Sequence, residues 1–192
     1  MSLTNHHIDQ LLPLCKQGEQ AAQLEVYNRY YKAMYNTSLR IVKDTAAAED
    51  VMQDSFLSAF TKLESFKGDA SFGSWLKRIV VNNSLNSYQK TKKLDETPLD
   101  DHLYRIEDDG DGISELDMSE IKVVEVMKAM NELKDNYRQS LSLHLIEGYD
   151  YEEMSTILNI SYANCRTTVS RAKDSLRKII RNNEKGQYRS TI

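Results

Sequence analysis

Between Gly148 and Leu176 the chain reads Gly-Tyr-Asp-Tyr-Glu-Glu-Met-Ser-Thr-Ile-Leu-Asn-Ile-Ser, then Tyr-Ala-Asn-Cys-Arg-Thr-Thr-Val-Ser-Arg-Ala-Lys-Asp-Ser-Leu. This is the most informative stretch of the chain. Asp150 can cap a helix whose third residue is Glu153, and Met154, Ile157 and Leu158 give that helix one apolar face. Asn159 tolerates the left-handed conformation that a sharp helix-helix corner requires, Ile160 can plug the corner, and Ser161 can cap the next helix. The spacing therefore predicts a helix-turn-helix. Its second helix carries Arg166, Arg171, Lys173, Arg177, Lys178 and Arg181 against the acid Asp174, as expected of a helix set against phosphates. A solvated basic face on an ordinary helical hairpin would use the same residues, so the rest of the chain has to decide between them.

With only seven Gly and two Pro in 192 residues and few segments alternating with the period of a strand, the chain is expected to be all-α. Its net charge of −4 is unevenly spread. Residues 1–90 carry +1, 91–120 carry −8, 121–161 carry −3 and 162–192 carry +6. Charges farther apart than about 8–10 Å are largely screened, so the local cationic field of the last helix governs docking on DNA. The acidic stretch, with Pro98 and two Gly, has little that could form a core. It predicts a flexible linker over 94–118 between small helical domains at 5–93 and 119–182, with a tail at 183–192.

Cys15 and Cys165 stand alone, His6, His7, His102 and His144 are scattered, and no phosphate-binding glycine loop or metal-ligand spacing occurs. No cofactor, metal or catalytic residue is therefore expected. No apolar run reaches about 18 residues and no charged-then-apolar leader opens the chain, so a cytoplasmic protein without membrane insertion is expected.

In the first domain, helices are expected at 8–16 (despite Pro13), from Glu19 to about Val42, after a cap at Asp44 or Thr45 with Val51, Phe56 and Leu63 available for packing, and from Phe72 to Lys90. Trp75, Ile79 and Leu85 should form the buried stripe of the last. In the second, Ile121, Val124, Met127 and Met130 with Val123, Val126 and Leu133 should form an apolar first helix, and a second should run from about Arg138 through Leu141 and Leu145.

Three segments in register, Ala48-Glu-Asp-Val-Met-Gln-Asp-Ser-Phe56, the Phe72, Trp75-Leu76, Asn82 spacing, and Tyr137-Arg138 through Leu176, resemble the sigma-70 family, most closely its small extracytoplasmic-function (ECF) group. The resemblance covers nearly the whole chain in the right order. It implies an initiation factor that binds core RNA polymerase and promoter DNA without catalysing a covalent reaction, and that an anti-sigma factor holds inactive. It assigns Asp50, Gln53, Asp54 and Phe56 to core polymerase binding, where a carboxylate and amide face beside an aromatic anchor suits a basic partner. It assigns Lys67, Phe72, Lys77, Arg78, Asn82 and Asn86 to binding and melting the −10 element, and Tyr162, Asn164, Arg166, Thr167, Arg171 and Lys173 to the −35 element. The chain departs from the family pattern at Asn86, often an acid, at Gln89, often a base, and at Thr168, often Arg. The alternative reading is a stand-alone helix-turn-helix regulator whose first domain senses a ligand or dimerises.

Overall fold

A computed structural model describes residues 3–95 and 118–189, and these are helical with no strand among them. The chain divides into two compact units, the first carrying α1 (Ile8–Lys16), α2 (Gln20–Val42), α3 (Thr45–Thr61) and α4 (Phe72–Asp95). The second carries α5 (Met118–Asn131), α6 (Asp135–Leu141), α7 (Tyr151–Leu158) and α8 (Tyr162–Arg189). Most of the expected linker, residues 96–117, lies outside the described residues.

In the first unit α2, α3 and α4 pack against one another, and α1 closes onto α2. Gly18, at φ +81°, ends α1 by letting its own N–H reach the Cys15 carbonyl at 3.1 Å while the Glu19 N–H reaches that of Leu14 at 3.0 Å. Leu11, Val26, Met52, Leu76 and Val80 are fully or almost fully buried between the helices. Small polar contacts fix the helix pairs. The Ser84 hydroxyl of α4 meets that of Ser38 on α2 at 3.0 Å, and the Asn83 amide donates to the Ser55 hydroxyl of α3 at 3.0 Å.

Of the expected buried stripe of α4, Leu85 is buried, but the rest of the stripe sits one position on from Trp75 and Ile79. Leu76, Val80, Val81 and Ser84 are fully buried, whereas Trp75 and Ile79 are half-buried, because α4 packs against both α2 and α3 and so covers a broader face than one stripe.

In the second unit α8 is the spine, against which α5, α6 and α7 pack. Along the expected apolar face of α5, Met127 is half-buried and Ala129 and Met130 are buried, with Leu133 buried just beyond the helix, while the side chain of Ile121 lies outside the described residues. Val123 is 62 % exposed and Val124 and Val126 are exposed too, so they take no part in the core of this unit. The second expected helix also differs. It is regular only to Leu141 and continues as a π-helical turn over Ser142–Ile146, leaving Leu145 exposed. Finally, α8 runs through Arg189, beyond the boundary expected at 182.

Candidate nucleic-acid and partner interfaces

On α3, a cap at Asp44, whose carboxylate accepts from the Ala47 N–H at 2.7 Å, starts the helix so that Val51, Met52, Ser55 and Ala59 face inward. Asp50, Gln53 and Asp54 consequently stand exposed on the opposite side. Phe56 does not stand with them. Its ring lies 4.8 Å from that of Tyr27 and the residue is only 3 % exposed, so the expected surface anchor is a core residue. Sequence reasoning passed over Leu57, which is 66 % exposed and follows Asp50, Gln53 and Asp54 at the spacing of one helix face. An apolar residue in register with three polar ones was the available signal.

A groove of about 560 Å³ runs between α3 and α4. Asp50, Asp54 and Leu57 line it from α3, and Asn83, Asn86 and Lys90 from α4. Asn86, expected on the DNA side, therefore shares a groove with the two acids expected to meet a protein. Asn82, one turn earlier, is exposed.

The loop 66–71 leads into α4 and is held at both ends. The Phe66 ring lies 5.3 Å from that of Trp75 and 5.7 Å from that of Phe72, and the Ser71 hydroxyl accepts from the Ser74 N–H at 3.2 Å. Between them Gly68 takes φ +82° and Lys67 stands exposed. Phe72 is again a correction, since it is 3 % exposed at the centre of a cluster with Tyr30, Phe66 and Trp75 and cannot offer its ring to an extruded base. Gly73 makes that cluster possible. A Cβ there would come within 2.9 Å of the Tyr30 ring. Lys77 and Arg78 follow, both half-buried.

In the second unit the corner forms as the residues dictate. The Asp150 carboxylate accepts from the Glu153 N–H at 2.8 Å and the Glu153 carboxylate from the Asp150 N–H at 3.0 Å, so each satisfies a donor that the start of α7 leaves open. Asn159 ends α7 at φ 51°, ψ 49°, and the Ser161 hydroxyl accepts from the Asn164 N–H at 3.3 Å to begin α8. Cys165, Val169, Ala172 and Leu176 then form the buried stripe of α8. This leaves Tyr162, Asn164, Arg166, Thr167 and Arg171 exposed, with Lys173 half-buried at the edge. The Thr167 hydroxyl donates to the Ala163 carbonyl at 2.9 Å and keeps only its acceptor capacity for a partner. Burial raises the Cys165 thiol above its ordinary pKa, which removes the thiolate character that redox chemistry needs.

No described helix is long and apolar enough to cross a membrane. Residues 26–94 match the model of Sigma-70 region 2, and residues 124–176 that of Sigma-70, region 4. The ECF RNA polymerase sigma factor SigM of Bacillus subtilis is 30 % identical over 156 residues, covering 81 % of this chain and 93 % of its own. The RNA polymerase sigma-H factor of Pseudomonas aeruginosa is 25 % identical over 189 residues, covering 93 % of this chain and 96 % of its own. In fold, the sigma factor RpoE of Bartonella quintana, solved with the anti-sigma factor NepR, is similar at a TM-score of 0.58 and 20 % identity, covering 82 % of this chain and 95 % of that one. With both regions in order along one chain, and a relative of this similarity over most of its length, the protein belongs to the sigma-70 family as an ECF RNA polymerase sigma factor.

Proposed function

We propose that the first unit, about residues 5–93, docks on core RNA polymerase through Asp50, Gln53 and Asp54 of α3, and engages the −10 element through Lys67, Lys77, Arg78, Asn82 and Asn86. The second, about 119–182, reads the −35 element with Tyr162, Asn164, Arg166 and Thr167, while Arg171 and Lys173 meet phosphates. Residues 94–118 join the two, 183–192 follow as a tail, and the protein works in the cytoplasm. It supplies recognition and strand opening, and the polymerase supplies the chemistry. The observation that carries this reading is the division of α8, with Cys165, Val169 and Ala172 buried on one side and Arg166, Thr167 and Arg171 exposed on the other. Such a helix can enter a major groove without uncovering its core. An anti-sigma factor is the natural inhibitory partner, since the Bartonella relative is solved with one.

Runoff transcription with core polymerase over a pool of random promoters tests the reading. Transcripts should start downstream of one shared bipartite sequence and vanish without this protein. Asp54→Lys should abolish co-elution with core polymerase while leaving the helical content unchanged. Tight sequence-specific binding to duplex DNA in the absence of polymerase, with no transcripts in its presence, would contradict the proposal.

A further inference from the structure

A ladder of rings ties the π-helical turn to the exposed face of α8. The Glu147 N–H bonds the Ser142 carbonyl at 3.0 Å, five residues back, and this wider turn carries His144 to the start of α7. There its Nδ1 lies 3.0 Å from the Tyr149 carbonyl; a carbonyl only accepts, so Nδ1 is the protonated nitrogen. The imidazole stacks on Tyr151, the first residue of α7, with centroids 4.8 Å apart and planes 23° apart. Tyr151 in turn meets Tyr162, the first residue of α8, edge to face at 6.1 Å and 89°. The Arg166 guanidinium lies over the Tyr162 ring, 5.9 Å from its centroid. The two inner rungs are half-buried and Tyr162 and Arg166 are exposed.

Resting on the reading that α8 recognises the −35 element, we propose that His144 and Tyr151 are positioning residues for that recognition. They hold the Tyr162 ring at a fixed tilt, and the ring face holds the Arg166 guanidinium at the trajectory from which it meets a base edge. An exposed Arg otherwise spreads over many rotamers and loses that freedom on binding; a ring already in place removes part of the loss.

The test uses the full chain reconstituted with core polymerase. Binding is measured in competition between promoters with the intact −35 element and with single-base changes in it. Tyr151→Leu should lower discrimination about fivefold, the scale of one aromatic pair with one cation–π contact, and leave discrimination at the −10 element unchanged. Tyr151→Phe, which keeps the ring, should restore it. In an Arg166→Ala background Tyr151→Leu should add nothing, since the effect passes through Arg166. Should Tyr151→Leu fail to fold, His144→Ala and His144→Phe give the same pair, the first without the stack and the second with it. Full discrimination in Tyr151→Leu and His144→Ala beside its loss in Arg166→Ala overturns the proposal and spares the −35 reading. Unchanged discrimination in Arg166→Ala overturns both.

Discussion

Phe56 and Phe72 show how closely contact and packing lie together at single residues. Each lies within two residues of a polar residue that faces outward, Asp54 for Phe56 and Ser71 for Phe72, and each turns its own ring into an aromatic cluster. Removing either ring should cost about 3–5 kcal/mol of stability, as expected for a buried phenylalanine replaced by alanine. Gln53→Ala and Asp54→Ala, both on the exposed face, should stay within about 0.5 kcal/mol. Urea unfolding followed by the fluorescence of Trp75, the one tryptophan in the chain, separates the two classes. If Phe56→Ala abolished polymerase binding at undiminished stability, its ring would be a contact after all. Cys15 makes a second case. Burial pushes its thiol up from 9.0 to about 11, so the folded state holds a proton that the unfolded state gives up near pH 9. The sign follows: this contribution is complete below pH 9 and is lost as the pH climbs towards about 11. Cys15→Ala should flatten that part of the stability curve relative to the parent chain, and an equal slope in both would show that other groups carry it.

At the scale of elements, what could be read from the sequence is what local chemistry decides. The caps at Asp44, Asp150 and Ser161, the left-handed Asn159 and the break at Gly18 all depend on residues within one turn, and all form as expected. The faces that a helix buries depend on its neighbours. For α5 the valines suggest a buried face, yet Val123, Val124 and Val126 are exposed, and its described buried residues are Ala129 and Met130. The π-helical turn likewise has no one-residue signature, and the contacts of His144 with Tyr149 and Tyr151 join it to residues outside that turn. The locality of the caps gives a prediction. Asp150→Ala removes one half of a reciprocal pair and should destabilise the second unit by about 1–2 kcal/mol. Asn159→Val should cost a similar amount through strain at φ 51°, whereas Asn159→Gly should be close to neutral. Amide exchange within α7 and the first turn of α8 reads both, and equal protection in Asn159→Val and Asn159→Gly would show that the corner does not depend on the left-handed residue.

For the whole molecule, net charge and local charge point in opposite directions, and binding to DNA has to reconcile them. The chain carries −4 overall, yet 162–192 carries +6, and the exposed cations of α8 sit on the side opposite its buried stripe. A protein with this balance gains little from DNA in general and depends on where its cations are placed. On the proposed reading, two arginines of α8 separate by role. Arg166 stands in the first turns and over Tyr162, and Arg171 further along the exposed face, so that reading gives base edges to the first and the backbone to the second. In polymerase complexes titrated with salt, Arg171→Ala should weaken matched and mismatched −35 promoters alike and lower the slope of log affinity against log salt by about 0.9, as expected when one phosphate is no longer neutralised. Arg166→Ala should instead cost about 1–3 kcal/mol on the matched promoter and little on the mismatched one, with a smaller change in slope. Identical patterns in the two variants would mean that α8 reads charge alone, and the recognition assigned to its first turns would have to come from elsewhere in the complex.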